Sequence, residues 1–198
     1  MRHREQLMAG AKKCLEERGY ARTTSRDIAA AANAPLGTIN YHYDSKEALL
    51  NAALLEMLQE WGDKVRAQSA AGRRVESMWE RVVGSEATDR PLLVASAEAL
   101  AQAERFPEIR QQIAEAFEAS RTEMAADLHG IDGTDSAEAR ELARAVGSVH
   151  MALVAGLTQQ WLIDPQHAPS ARDVAAGLRR IADDLDADAS DVPDVPDA

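Results

Sequence analysis

Residues 23–47 read TTSRDIAAAANAPLGTINYHYDSKE and contain the signals for two short consecutive helices. Thr24 and Asp27 form a Thr-x-x-acid pattern, which predicts a helix that begins after Thr24. Asn33 can adopt the left-handed conformation that ends such a helix. Pro35 fits the first turn of a following helix, because its missing N–H would have no partner there. Two helices joined by so short a break are typical of a helix-turn-helix.

The second of these helices is predicted over about residues 35–43, and it is too short to form a core by itself. Ile39 is its one strongly apolar anchor, so the other side chains are left outside. Small groups let a backbone approach DNA closely, and polar groups offer hydrogen bonds to phosphates and base edges. We therefore predict a DNA-reading surface formed by Gly37, Thr38, Asn40, Tyr41 and His42. The alternative, in which a tyrosine only packs against the core, is stronger for Tyr43 than for Tyr41.

The composition bounds the class of protein. A chain of 198 residues fits one or two small domains, and 45% apolar residues with only 4% aromatic ones favour close-packed, alanine-rich helices. The sequence has no 18-residue apolar run and does not open on a signal peptide, so we expect a cytoplasmic protein. The single cysteine, Cys14, excludes a disulfide framework and a multi-cysteine metal site. We expect neither a metal ion nor a cofactor.

The charge is distributed unevenly along the chain. A net charge of −11 argues against nucleic acid as a partner, since polyanions repel acidic proteins. Residues 1–50, however, contain eight Lys and Arg against six Asp and Glu. The excess of acidic over basic residues therefore lies entirely in residues 51–198. This asymmetry is typical of a small DNA-facing module attached to an acidic body.

A longer pattern surrounds the opening stretch: Gly19-Tyr20, Thr23-Thr24, Asp27-Ile28-Ala29, Ala32, Gly37-Thr38-Ile39, Tyr41-His42 and Ser45-Lys46-Glu47-x-Leu49. In order and spacing it resembles the N-terminal domain of the TetR-type (tetracycline-repressor-like) bacterial transcriptional regulators. The resemblance implies an all-α homodimer with a three-helix DNA-binding domain and a larger C-terminal ligand-binding and dimerisation domain.

The resemblance also implies roles for particular residues. It assigns DNA contacts to Thr24, Ser25, Thr38, Tyr41, His42 and Lys46, and we add Arg26, Leu36, Gly37 and Asn40 on the same surface. Leu36 stands where the family commonly has a basic or polar residue, and Asn40 where it usually has the first of two tyrosines. Asn40 either reads an adenine or makes a shorter contact to a phosphate or water, and both readings stay open.

The domain organisation follows from the same resemblance and from the hydrophobic periodicity, which predicts about nine helices and no strands. We assign residues 1–50 to the DNA-binding domain, 51–186 to the ligand-binding and dimerisation domain, and 187–198 to an acidic disordered tail. Predicted helix 4, about residues 46–66, links the two domains and is expected to be the only element that contacts both. Predicted helix 6 follows Thr88-Asp89, with Pro91 in its first turn.

Two C-terminal helices carry the predicted dimer interface. Helix 8, from about Ser136 to Ile163, has two apolar faces and therefore needs two neighbours. Helix 9 opens with a Ser170-x-x-Asp173 cap and continues with regularly spaced apolar residues. We predict that both helices pair with their copies as a four-helix bundle, through Val146, Val154, Trp161, Val174, Leu178, Ile181 and Leu185. The alternative is that these residues only complete a monomeric core.

A pocket for a small, largely apolar effector is predicted among helices 5 to 8. Mobile methionines and rigid aromatic rings suit such a ligand, and the candidates are Trp79, Leu93, Phe106, Phe117, Met124 and Met151. His150 and Glu98 are possible polar handles. The alternatives are that the apolar residues are plain core, that His150 is a satisfied interface histidine, and that Glu98 is simply exposed.

These patterns together predict a DNA-binding transcriptional regulator, as a rule a repressor, that a small effector releases from operator DNA. An effector-independent regulator is the first alternative. An enzyme on a helical scaffold is a remote one, because the sequence has no nucleophile elbow, phosphate-binding glycine loop or His-x-x-x-His pair.

Overall fold

A computed structural model describes residues 2–67, 74–84, 86–134 and 136–190. Throughout these ranges the regular structure is helical, as the sequence predicts, and no strand occurs in them. The helices are α1 (Arg2–Arg18), α2 (Ser25–Ala31), α3 (Thr38–Tyr43), α4 (Lys46–Ala67), α5 (Arg74–Gly84), α6 (Glu86–Ala103), α7 (Pro107–His129), α8 (Ala137–Ile163) and α9 (Ala171–Ser190). Residues 191–198, most of the predicted tail, lie outside the described residues, whereas residues 187–190 belong to α9.

The helix-turn-helix is built by local hydrogen bonds. The Thr24 hydroxyl accepts a bond from the Asp27 backbone N–H (3.2 Å), and the Asp27 carboxylate accepts one from the Thr24 N–H (3.0 Å). This reciprocal capping box begins α2, as the sequence predicts. Asn33 ends it with a φ of 48°, in the left-handed region. The following helix is shorter than predicted, because Pro35 lies in a turn before α3 rather than in its first turn.

The first of two apolar cores lies among the helices α1, α2, α3 and α4. Its buried residues include Leu7, Leu15, Ile28, Ile39 and Leu50. It also includes Leu92, Ala95 and Ala99 from α6. The expectation that helix 4 alone contacts both domains is therefore wrong, since α6 packs on the DNA-binding helices as well. Its predicted start is also wrong: α6 begins at Glu86, and Pro91 lies inside the helix.

The second core lies between the end of α4 and helices α5, α7, α8 and α9. Trp79 and Trp161 are its largest fully buried side chains. Two residues predicted for the dimer interface, Trp161 and Val174, are 2% and 8% exposed in this core. The Trp161 indole N–H also donates a bond to the Pro169 carbonyl (3.3 Å). Both residues stabilise the protomer, so their assignment to the dimer interface is corrected.

Helices α7 and α8 pack at very short range. A Cβ atom added to Gly147 of α8 would overlap the backbone oxygen of Arg121 in α7 and lie 2.6 Å from its carbonyl carbon. Such an atom cannot be accommodated unless the helices separate, because the obstacle is backbone and not a movable side chain. Gly147 therefore allows this approach within one protomer.

Candidate DNA-binding surface and interior site

The predicted DNA-reading residues lie together on α3 and the turn before it. Tyr41 is 84% exposed, and Leu36, Gly37 and Asn40 are exposed beside it. The Tyr41 and His42 rings meet edge to face, with 4.9 Å between their centroids. Ile39, the anchor on the opposite face, is buried as predicted. The alternative in which Tyr41 packs in the core is therefore wrong.

Tyr43 is a packing residue. Its hydroxyl donates a hydrogen bond to the backbone carbonyl of Arg4 (3.2 Å), and the Arg4 guanidinium lies 5.6 Å from the ring centroid. Burial raises the pKa of Tyr43. The side chain thus ties α3 to α1 and is not available at the exposed surface.

The start of α2 places Thr24 and Arg26 at the surface and leaves Ser25 half-buried. The Thr24 hydroxyl also donates to Asp27 (2.6 Å). Hydrogen bonds from the Thr24 hydroxyl and backbone N–H lower the pKa of Asp27, and Arg18 adds an ion pair at 3.2 Å. The Thr24 side chain is therefore engaged in capping α2. Arg26, which is exposed, is the stronger candidate for a phosphate contact.

Lys46 already has oxygen partners. Its ammonium donates to the Thr23 carbonyl (3.1 Å) and pairs with Glu47 at 3.2 Å. The Ser45 hydroxyl caps α4 by accepting from the Ala48 N–H (3.0 Å). A phosphate at this position would have to share the ammonium with the loop between α1 and α2.

Glu98 does not lie in a ligand pocket. Its carboxylate accepts hydrogen bonds from the backbone N–H groups of Tyr20 (2.7 Å) and Ala21 (3.0 Å), just after α1. Its assignment as a polar handle for a ligand is therefore corrected, and so is the alternative of a merely exposed glutamate. Nothing local to Glu98 could have predicted this contact, since its partners are 77 and 78 residues away.

The interior of the C-terminal region contains an aromatic and histidine cluster. The rings of Trp79 and His150 stack with 5.8 Å between centroids, and both side chains are buried. The Nε2 atoms of His150 and His129 share a hydrogen bond of 2.8 Å. Among the described residues, the Trp79 indole N–H and the His150 Nδ1 have no hydrogen-bond partner. Buried polar atoms of this kind usually pair with a water molecule or a ligand.

The other predicted ligand residues divide into three groups. Met124 packs against the core that contains Trp79, and Leu93 is buried in α6. Met151 and Phe106 are half-buried, and Phe106 precedes the first turn of α7. Phe117 is 39% exposed on α7, so its place in an interior pocket is corrected.

The stability of the fold should depend on pH through His150. Burial, with a smaller effect of His129, lowers the pKa of His150 to about 4 from its ordinary 6.5. The unfolded chain takes up a proton as the pH falls below 6.5, whereas the folded chain does not until about pH 4. The free energy of unfolding is therefore highest above pH 6.5 and falls between pH 6.5 and pH 4. At pH 5 the decrease is about 2 kcal/mol.

This prediction can be checked by urea denaturation at pH 7 and pH 5. A His150→Phe variant keeps an aromatic ring beside Trp79 and should lose about 2 kcal/mol less than the wild type on acidification. His167→Gln, which removes an exposed histidine, serves as the control. An equal loss in wild type and His150→Phe would contradict the prediction.

The exposed apolar residues of α8 and α9, called the apolar strip below, recur at helical spacing along each helix. On α8 the strip contains Leu142 and Val149, and on α9 it contains Ile181 and Leu185, which are 57% and 64% exposed. The predicted interface residues Val146, Val154 and Leu178 are half-buried on the same two helices. Of the described helices, none is both long and apolar enough to cross a membrane.

Comparisons with known proteins agree with this arrangement. Residues 7–53 match the model of the bacterial regulatory proteins of the tetR family. The chain is 34% identical over 97 residues to the HTH-type transcriptional repressor KstR2 of Rhodococcus jostii, covering 49% of this chain and 43% of that protein. It is 35% identical over 75 residues to the HTH-type transcriptional regulator TtgR of Pseudomonas putida, covering 38% and 35%. The matched stretches thus span less than half the length of these relatives.

Solved structures match over nearly the whole chain. A TetR transcription regulator from Haloarcula marismortui superposes with a TM-score of 0.63 at 21% identity, over 93% of this chain and 97% of that one. The multidrug binding protein EbrR, complexed with imidazole, superposes with a TM-score of 0.66 at 25% identity, over 89% and 92%. The predicted resemblance and fold class are confirmed: residues 7–53 match the N-terminal domain of the tetR family of bacterial regulatory proteins, and the chain shares the all-α fold of these solved structures.

Proposed function

We propose that the protein is a DNA-binding transcriptional regulator and that it acts as a repressor in the bacterial cytoplasm. The observation that carries this proposal is the exposed surface of α3, where Tyr41 is 84% exposed on a helix anchored from behind by Ile39. The ring and hydroxyl of Tyr41 are therefore free to contact a partner, and DNA offers phosphates and base edges to such groups. The matched relative KstR2 is itself named a repressor.

The protein is proposed to bind its operator as a homodimer. A two-fold axis through the apolar strip of α8 and α9 would cover Val149 and Ile181, which are otherwise in water. The two copies of α3 would then enter successive major grooves of one duplex, about 34 Å or a multiple of it apart. The operator should accordingly be close to palindromic.

The effector is proposed to be small and largely apolar, with one polar group. Stacked rings of Trp79 and His150 suit a flat apolar molecule, and their Nε1 and Nδ1 atoms, which lack partners among the described residues, suit its polar group. Met124, Met151 and Leu93 are proposed to complete the site. EbrR, which shares the fold, is described as a multidrug binding protein complexed with imidazole. Binding of the effector would release the DNA only if the DNA-free conformation binds it more tightly.

Two substitutions distinguish residues that contact the phosphate backbone from residues that recognise the base sequence. Arg26→Ala should weaken binding about equally for all duplexes and lower the slope of log affinity against log salt by about 1, because one phosphate contact is lost. If Asn40 reads a base, Asn40→Ala should leave that slope unchanged and reduce discrimination at one symmetric position per half-site by about 1 to 3 kcal/mol. Fluorescence anisotropy on a duplex selected from a random library by the wild-type protein measures both quantities.

Arg172→Ala is the control, because it removes an exposed arginine of α9, a helix outside the proposed DNA-binding surface. It should bind the selected duplex like the wild type. Unchanged discrimination in Asn40→Ala would refute base reading by that residue. A folded variant without the Thr38, Tyr41 and Lys46 side chains that still bound the selected duplex would overturn the DNA-binding assignment.

A further inference from the structure

The loop between α1 and α2, residues 19–24, leads directly into the helix-turn-helix. Gly19 starts it with a φ of 81°, and the Tyr20 and Thr23 side chains are buried. The Thr23 hydroxyl donates to the Gly19 carbonyl (2.7 Å), and Thr24 ends the loop as the cap of α2. Because a hydrogen bond links its first residue to Thr23 and the next residue caps α2, we expect a displacement of the first residues to reach the start of α2.

Two helices hold this loop by hydrogen bonds. Glu98 of α6 accepts bonds from the N–H groups of Tyr20 and Ala21, and Lys46 of α4 donates to the Thr23 carbonyl. A Cβ atom at Gly19 would lie 3.1 Å from the same Glu98 oxygen, so the carboxylate fits closely against the loop. A hydrogen bond to a charged carboxylate is about twice as strong as a neutral one, and it is lost once donor and acceptor are more than about 3.5 Å apart.

Helix α6 is tied at its other end to the C-terminal helices. The Arg90 guanidinium donates a hydrogen bond to the Leu162 carbonyl at the end of α8 (3.0 Å). Arg90 and Glu98 are about 12 Å apart along the helix axis at 1.5 Å per residue. One continuous helix therefore connects the end of α8, the helix that contains His150, with the loop that leads into α2.

We propose that Glu98 is a positioning residue through which α6 sets the orientation of the helix-turn-helix. The proposal rests on the proposed DNA-binding function. In the ligand-free protein the two hydrogen bonds hold the loop, and with it α2 and α3, in the orientation that binds DNA. A shift of α6 by about 1 Å would lengthen both bonds beyond hydrogen-bond range and release that orientation.

The test compares Glu98→Ala and Glu98→Gln with the wild type in the full chain. Glu98→Ala removes both acceptors, whereas Glu98→Gln keeps an acceptor oxygen and removes the charge. Glu104→Ala removes a carboxylate that is exposed just beyond α6 and serves as the control. Thermal unfolding confirms that each variant is folded, and Glu98→Gln carries the test alone if Glu98→Ala is not.

The first measurement is amide hydrogen exchange by NMR. Exchange at the Tyr20 and Ala21 amides should be at least about 10-fold faster in Glu98→Ala than in the wild type, less so in Glu98→Gln, and unchanged in Glu104→Ala. The second is affinity for the duplex selected by the wild type. It should fall about 10-fold in Glu98→Ala, about 3-fold in Glu98→Gln, and less than about 2-fold in the control.

Each outcome decides one claim. Unchanged amide exchange in folded Glu98→Ala would show that the contact is not made, and would overturn the proposal. Faster exchange with unchanged duplex affinity would show a contact that does not position the DNA-binding helices, and would also overturn it. If the wild type selects no duplex, the proposed function fails and the positioning role fails with it, while the exchange measurement still decides whether the contact exists.

Discussion

Gly147→Ala should lower the free energy of unfolding by about 3 kcal/mol, because the new methyl group would require α7 and α8 to separate. The added atom would overlap the Arg121 oxygen and lie 2.6 Å from its carbonyl carbon, and neither can move without the backbone of α7. The loss should be visible as a lower urea midpoint at constant m-value.

Gly37→Ala is the matched control for this prediction. A Cβ atom at Gly37 meets nothing within 4 Å, and its φ of −65° suits any residue. The free energy of unfolding of Gly37→Ala should therefore stay within about 0.5 kcal/mol of that of the wild type. A Gly147→Ala protein that is as stable as this control would mean that the two helices do not approach each other so closely.

A double variant, Val149→Glu with Ile181→Glu, should convert the proposed dimer into folded monomers. Both residues are exposed in the protomer, so the new carboxylates stay hydrated in the monomer. In a dimer they would be buried without a partner, at a cost of several kcal/mol, which corresponds to an affinity loss of at least about 1000-fold. Sedimentation at micromolar concentration measures the oligomeric state.

Leu100→Glu provides the control, since Leu100 is an exposed apolar residue of α6 outside the strip. This variant should remain dimeric. In contrast, Trp161→Ala should unfold the protomer rather than dissociate it, because Trp161 lies in the second core. If the double variant sediments as a dimer, the interface lies elsewhere on the molecule.

The features that could be predicted from the sequence are those whose causes are local. The Thr24 and Asp27 capping box and the left-handed Asn33 lie where the residue types require them. The same holds for the Ser170 and Asp173 cap, in which the Ser170 hydroxyl accepts from the Asp173 N–H (3.2 Å). A cap involves residues about three positions apart, so its partners can be recognised from the sequence.

The features that could not be predicted depend on which distant surface covers a side chain. Val174 and Ile181 both belong to the regular apolar pattern of α9, yet the first is buried in the protomer and the second is 57% exposed. Periodicity finds the apolar positions of a helix but does not say which neighbour covers each of them. The contact between Glu98 and Tyr20 has the same origin, because only the tertiary fold brings them together.

The first apolar core has a consequence for how the protein folds. Leu92, Ala95 and Ala99 of α6 close a core that otherwise belongs to α1–α4. Residues 1–67 produced alone would leave that side of the core open to water. We therefore expect the DNA-binding helices and α6 to unfold as one cooperative unit, with common exchange kinetics, rather than as an autonomous module with a separate attachment. The boundary between the two functions then does not coincide with a boundary between folding units.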